Sequence, residues 1–376
     1  MKRILNLIFA LLLFTTIATA QNNVPANAKL AMYVEYGGKG IKLGVLAYTD
    51  GTYRKYLPIE NKELNIGLSK AIQTTGEISK DDIAAAAGSS YDAYKELLDK
   101  YSSKGLTDNN VFFYTSSGVG VATNVQKLCD AIKAKTGHNV YVVKDVEEAK
   151  YTIAGTIPYE KIDNALVLDQ GGSNTKGGYV IKDGKSLTGI PTNFDIGSVR
   201  ISDLIITNYM KSSPDDANEY RAVFINSMNI CFDSLKLVIK RTFSNIDGAE
   251  SRNELYLSGG AAFIITTLMY PEADLNKQMV DLDLNKLVGF LDGLQNRDFY
   301  NDLKSKTFTD EKINANYQKA LKIYNHLQLL AATKLLVTYV RALGGDEKKI
   351  YFNRYGLHSM PSMLMGRALR GDISRW

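Results

Sequence analysis

Asn164-Ala165-Leu166-Val167-Leu168-Asp169-Gln170-Gly171-Gly172-Ser173-Asn174-Thr175-Lys176 is the stretch whose reading decides the fold. An apolar run of strand length ends in an acid, two glycines turn the chain, and Thr175 to Ile181 reads as a second strand. Asp183-Gly184 then turns the chain again before a third strand, Lys185 to Ile190. The same order occurs near the N-terminus. There Lys29 to Glu35 reads as a strand, Tyr36-Gly37-Gly38-Lys39-Gly40 turns, and Ile41 to Tyr48 follows. Asp50-Gly51 marks the next turn, ahead of a third strand from Thr52 to Pro58. From the first glycine of the loop to the glycine of the Asp-Gly turn is 14 positions in one copy and 13 in the other, and the copies lie about 134 positions apart. Such a repeat predicts a duplicated α/β domain facing itself across a cleft.

The remainder of each copy supplies helices and further strands. Asp81 to Tyr101 has helical periodicity, Val111 to Tyr114 is a short apolar strand, and Val140 to Val143 reads as another buried one. Between the last two, Asn124 to Thr136 reads as a helix opened by an Asn cap and closed by Gly137. In the second half, Val199 to Lys211 and Asp215 to Thr242 read as helices, and Leu255 to Leu257 as a strand ending at Gly259-Gly260. The stretch 284–343 is mostly helical, and no linker rich in Pro, Gly or Ser separates the copies.

At 376 residues, with 45% apolar and 23% charged residues, the chain has room for two ordinary globular domains. Residues 1–20 read as a secretory signal peptide: Lys2-Arg3, an apolar run from Ile4 to Ile17, then Ala18-Thr19-Ala20 before Gln21. Cleavage after Ala20 predicts an exported, periplasmic protein with no membrane span, since no later stretch reads as long and apolar enough. Without Lys2 and Arg3 there remain 43 basic and 40 acidic residues. That balance does not favour nucleic acid or an anionic membrane as partner. Cys129 and Cys231 read as buried thiols, with a bridge between them as the alternative, and the three scattered histidines do not form a zinc pattern.

The loops carry the chemistry. Consecutive glycines after a strand let backbone N–H groups approach a phosphate, and the strand-end carboxylate, Glu35 or Asp169, can hold a divalent cation. A third feature is Asp145-Val146-Glu147-Glu148 after the Val140–Val143 strand. A helix starting there has Asp145 at the N-cap and Glu148 at N3, an acidic capping box; on the functional reading Glu148 points inward as a general base for water.

These residues resemble the exopolyphosphatase / guanosine pentaphosphate phosphatase (Ppx/GppA) family, of the actin-like ATPase and sugar kinase superfamily. Glu35-Tyr36-Gly37-Gly38-Lys39-Gly40 stands at the family's Asp-hydrophobic-Gly-Ser-Asn-Ser, and Asp169 to Lys176 at Asp-Ile-Gly-Gly-Gly-Ser-Thr-Glu. Thr115 to Asn124 stands at Thr-x-x-x-Arg-x-Ala-x-Asn, and Thr136-Gly137 with Val140 to Ala149 resembles Thr-Gly, strand, Glu-Glu-Ala. Ile196-Gly197-Ser198-Val199-Arg200, Leu257-Ser258-Gly259-Gly260 and Tyr355-Gly356-Leu357-His358-Ser359 resemble its later motifs.

The resemblance implies two ribonuclease H-like domains. The first would take residues 25–149 with 350–376, and the second residues 150–349. It implies hydrolysis of a terminal phosphoanhydride on polyphosphate or a nucleotide phosphate chain, with Glu148 activating water. Glu35 and Asp169 would hold Mg²⁺ or Mn²⁺. Gly37, Gly38, Lys39, Gly171, Gly172, Ser173, Asn174, Thr175, Gly259 and Gly260 would cradle phosphates. A homodimer is compatible with this reading. The departures from the family pattern are Gly120 for its Arg, Lys176 for its loop-closing Glu, Lys39 for Asn, His358 for Arg and Glu35 for Asp. They keep two alternatives open: an impaired member that binds a phosphate polyanion or a protein, and an apyrase-type nucleotidase.

Overall fold

The computed structural model describes residues 24–372 except 39, 52, 173, 184, 185, 195, 245, 247 and 276. The expected signal peptide therefore lies outside the described residues. The chain divides into two compact units, one running to Asp145 and resuming at Met365, the other Val146–Leu364.

In the first unit β1 (Lys29–Tyr36), β2 (Ile41–Tyr48), β3 (Tyr56–Leu64), β4 (Val111–Thr115) and β5 (Val140–Val142) form one sheet in the order β3-β2-β1-β4-β5. The first three strands are antiparallel, while β4 and β5 run parallel to β1. Central β1 is buried almost throughout because both its faces are covered. Leu30, Met32, Val34 and Tyr36 share one core with Ala93, Leu97 and Tyr101 of the helix Lys80–Ser102. That helix is capped by Ser79, whose hydroxyl accepts the Asp82 N–H.

Three local expectations change. The third strand starts at Tyr56 rather than Thr52, because the Asp50 carboxylate accepts the N–H groups of Arg54 and Lys55 (3.1 Å each) and widens the turn. The strand expected over Val140–Val143 is a half-buried edge of three residues. Asn124 precedes its helix, but its side chain bonds the backbone N–H and carbonyl of Ile78 instead of capping.

In the second unit the order is β10-β11-β9-β6-β7-β8, built from β6 (Ala165–Gln170), β7 (Thr175–Asp183), β8 (Ser186–Phe194), β9 (Glu254–Ser258), β10 (Met279–Leu282) and β11 (Lys349–Asn353). Three antiparallel strands followed by two parallel ones repeat the arrangement of the first sheet, and β10 is added antiparallel at the edge. The expected return of 350–376 to the first domain is corrected here. β11 pairs with β9 and β10 and buries Ile350 and Phe352 in the second core, so only the chain from Met365 onward belongs to the first unit. Residues 146–149 likewise fall in the second unit.

The helical stretch 284–343 divides into four helices, each opened by an Asx side chain: Asp283, Asn296, Asp310 and Asn325. The helix expected over Val199–Lys211 ends at Leu204 and passes into a π-helical turn, Ile205–Tyr209. Contrary to the sequence expectation, one helix among the described residues, Ala217–Phe243, is by length and composition long and apolar enough to cross a membrane. Its Phe224, Met228, Cys231, Ile239 and Phe243 are buried in the second core. Cys129 and Cys231 are buried free thiols in separate units, and burial pushes Cys231 up to about 11.

Candidate active site

In the first unit the acid at the end of β1 is held from both neighbouring strands. Glu35 lies directly opposite Lys42 across the β1–β2 hairpin, with Lys42 Nζ 3.4 Å from Glu35 Oε1. On the other side it lies in register with Tyr114 of β4, whose hydroxyl donates to Glu35 Oε2 at 3.0 Å. The hairpin is closed by the Gly37 N–H donating to the Gly40 carbonyl at 3.0 Å. A side chain at Gly40 would stand 2.6 Å from the Leu64 carbonyl, which explains the glycine. Lys39 lies outside the described residues.

The second unit repeats this arrangement. Asp169 lies directly opposite Lys176 across the β6–β7 hairpin and in register with Ser258 of β9, whose hydroxyl donates to Asp169 Oδ2. The Gly171 N–H donates to the Asn174 carbonyl at 3.0 Å, matching the bond in the first hairpin. The loop is then latched from behind. Gly171 O accepts from Ser198 N (2.9 Å) and Oγ (3.0 Å), and Gly172 O from Val199 N and Arg200 N (2.9 and 3.1 Å). Gly197 makes that latch fit, since a Cβ there would come within 2.5 Å of Gly171 O. Gly259 (φ +91°) begins the helix Gly259–Met269 and passes so close to Gln170 that a Cβ would meet its carbonyl at 2.5 Å, whereas Gly260 faces open space. Ser173 lies outside the described residues. Thr175, expected to bind phosphate, is fully buried and donates its hydroxyl to Ile196 O at 2.8 Å, so it anchors the loop instead.

Glu148 sits in the helix Asp145–Thr156, in which Asp145 is already helical rather than a cap. Its Oε1 accepts from Lys176 Nζ at 3.0 Å, and the two side chains keep 21% and 10% of their exposure. Glu148 is thereby tied to the hairpin that carries Asp169. Neighbouring Glu147 instead accepts from the Tyr151 hydroxyl at 3.2 Å. Gly155 seats the helix, since a Cβ there would collide with Ser359 O at 2.1 Å.

The departures acquire physical reasons. At Gly120 a Cβ would lie 3.0 Å from Val142 Cγ1 and 3.1 Å from Val143 O, so a side chain there requires those neighbours to shift by a few tenths of an ångström. His358 is buried, and the Gly356 turn beside it fits against Ser258 Cβ (2.7 Å for an added Cβ). Lys42 was not legible as a site residue. Its signal was present nonetheless: Lys42 follows Glu35 by seven positions, as Lys176 follows Asp169.

The Mg²⁺ or Mn²⁺ implied by the sequence resemblance does not fit this donor set. Among the described residues no group of three or more His, Cys, Asp or Glu side chains gathers. Glu35 already pairs with Lys42 at 3.4 Å and Asp169 accepts the Ser258 hydroxyl, whereas a hard divalent ion takes six or more oxygen ligands.

No protein-family model matches the chain, and no curated protein does. Solved structures do. The Ppx/GppA family member from Aquifex aeolicus superposes with a TM-score of 0.63 at 16% identity, covering 92% of this chain and 100% of that one. The chain has the Ppx/GppA fold. An exopolyphosphatase from Cytophaga hutchinsonii gives a TM-score of 0.58 at 16% identity, covering 91% and 98%. Nucleoside triphosphate hydrolases from Neospora caninum give 0.51 at 10%, covering 99% and 96%.

Proposed function

We propose that this protein is an exported phosphoanhydride hydrolase of exopolyphosphatase type, releasing terminal phosphate from polyphosphate or from a nucleotide phosphate chain. The observation that carries the reading is Glu148 held 3.0 Å from Lys176 on the glycine hairpin that begins at Asp169. On this reading Glu148 takes a proton from water as the water oxygen attacks the terminal phosphorus. The P–O anhydride bond then breaks, and the shortened chain leaves as an oxyanion. The Gly172 N–H, with those of Gly259 and Gly260, donates to phosphate oxygens, while the Gly171 N–H closes the hairpin that presents them. In the first unit Gly38 and Lys39 take the same part, and the Gly37 N–H likewise closes the hairpin. Catalysis of this kind is mostly positioning and charge neutralisation. Export rests on Lys2-Arg3, the apolar run and Ala18-Thr19-Ala20.

A second reading, a phosphate-binding protein with little turnover, has its own support: the same ammonium that would serve the phosphate engages the base. Phosphate release from the chain starting at Gln21 distinguishes the two. Polyphosphate and nucleoside triphosphate are each assayed with Mg²⁺, with Mn²⁺ and with chelator, beside Glu148→Gln. The hydrolase reading expects release that the substitution lowers by about 100-fold or more. Equal background from both proteins, with polyphosphate still bound, establishes the binding protein.

A further inference from the structure

Behind the hairpin of the second unit lies a chain of buried hydroxyls. Ser198, Thr175 and Tyr339 are fully buried, and Tyr324 is 7% exposed. Gly171 O accepts from the Ser198 hydroxyl at 3.0 Å, and Ser198 Oγ is also hydrogen-bonded to the Tyr324 hydroxyl. A carbonyl cannot donate, so the one Ser198 hydroxyl proton points to Gly171 and the Tyr324 hydroxyl donates to Ser198. Two residues upstream, Ile196 O accepts from the Thr175 and Tyr339 hydroxyls, each at 2.8 Å. Tyr324 closes the helix Glu311–Ile323, and Tyr339 lies within the next helix, His326–Ala342. Residues 196–198 are thus pinned on one side to the glycine hairpin and on the other to the helical stretch 284–343. Phenylalanine at 324 and 339 would fill nearly the same volume without burying a polar atom, so packing alone does not call for the two hydroxyls.

We infer that Tyr324 and Tyr339 are positioning residues of the phosphate hairpin: through Ser198 and Ile196 they hold the Gly171 carbonyl back and so aim the Gly172 N–H at a phosphate oxygen. The inference rests on the phosphate-chain reading above and adds the residues that set its binding geometry. The Gly171 carbonyl and the Gly172 N–H belong to one peptide plane, in which a trans bond turns them in opposite directions. Fixing the carbonyl therefore fixes the direction of the amide. Two successive glycines leave that plane free to rotate, so it needs a tether from outside the loop. The Ser198 N–H supplies one bond to the carbonyl at 2.9 Å, and the Ser198 hydroxyl, itself held by Tyr324, supplies the second. An amide already aimed at its ligand binds without the ordering cost of a loose loop. The helical stretch thereby contributes to the site from behind.

The test is calorimetric titration of the full chain from Gln21 with inorganic tripolyphosphate, once with Mg²⁺ and once in chelator. Titration separates two kinds of damage: unfolded protein lowers the stoichiometry, whereas a misaimed amide raises Kd. Tyr324→Phe and Ser198→Ala should each raise Kd about fivefold, the scale of one hydrogen bond, and Tyr339→Phe about threefold, all at unchanged stoichiometry. Because Tyr324 acts through Ser198, adding Tyr324→Phe to Ser198→Ala should change Kd by less than about twofold. Tyr317→Phe is the control. It deletes a fully buried hydroxyl of the same helical stretch that donates to Leu303 O at 2.9 Å, and it should lower the urea midpoint while leaving Kd at the wild-type value. Should Tyr324→Phe fail to fold, Ser198→Ala and Tyr339→Phe carry the test. Wild-type Kd in the folded relay variants overturns the inference and leaves the phosphate-chain reading standing, and so does equal weakening by Tyr317→Phe. No binding by the wild type in either condition overturns both.

Discussion

If the ammonium of Lys176 holds Glu148 in solution, the two side chains must be energetically coupled. At 3.0 Å and an effective dielectric of about 20, their attraction is about 5.5 kcal/mol before desolvation. Desolvation removes much of it. Exposed pairs couple by about 0–1 kcal/mol, and removing one partner of a buried pair costs about 3–5 kcal/mol. With 10% and 21% of their side-chain exposure retained, Lys176 and Glu148 lie between these limits, and the coupling should be about 2 kcal/mol. The assay is a double-mutant cycle: wild type, Lys176→Met, Glu148→Gln and the double variant, each unfolded in urea and followed by circular dichroism. Lys176→Met alone should be the least stable, because it leaves the Glu148 charge half-buried beside a methyl group. Losses that add to within about 0.5 kcal/mol would refute the reasoning, since independent sites behave that way.

The adjacent glycines 259 and 260 should respond oppositely to alanine. Gly259→Ala combines φ +91° with a 2.5 Å approach to Gln170 O and should cost about 2 kcal/mol or more, whereas Gly260→Ala meets nothing within 4 Å and should be neutral or gain about 0.5 kcal/mol, both read from urea midpoints. Acid stability should depend on Glu254. Burial opposes its charge, but hydrogen bonds from Lys161 and Tyr256 outweigh that and hold its carboxyl below the usual range. A carboxyl lowered in the folded state stabilises above its unfolded pKa of about 4.3 and loses that contribution as pH falls through the folded value. Stability followed from about pH 6 to pH 3 should therefore fall less steeply in Glu254→Gln than in wild type; equal slopes would exclude the carboxyl as the source.

What the sequence made legible is what lies close along the chain. The acid–glycine hairpins, the helix Lys80–Ser102 and the Asx-capped helical stretch are local patterns, readable from periodicity and turn residues. The partners of the two acids are not local. Tyr114 and Ser258 reach them from strands about 80 and 90 residues downstream, and only the sheet register reveals this. Lys42 reads as an ordinary strand residue until β1 and β2 are paired. Thr175 reads as a loop donor until its burial beneath Ile196 is known. The misassigned β11 fails similarly, because a five-residue strand with three apolar residues, Ile350 to Phe352, carries no mark of which of two similar sheets it will join.

The return of the chain at Met365 bears on how the molecule is made. Gly366 nestles against Tyr53, a Cβ there falling 2.4 Å from its carbonyl, so the closing helix Ser359–Arg370 supplies a fitted piece of the first unit. Synthesis must therefore advance from residue 145 to residue 365 before that unit can be completed, roughly 11–44 seconds at about 5–20 residues per second. The second unit, contiguous from Val146 to Leu364, has its whole sequence in hand before the first does. The half begun earliest is finished last, and for that interval it exists as a sheet awaiting its final helix. A nascent chain stalled or clipped shortly before Met365 would carry a complete second unit and an unfinished first one.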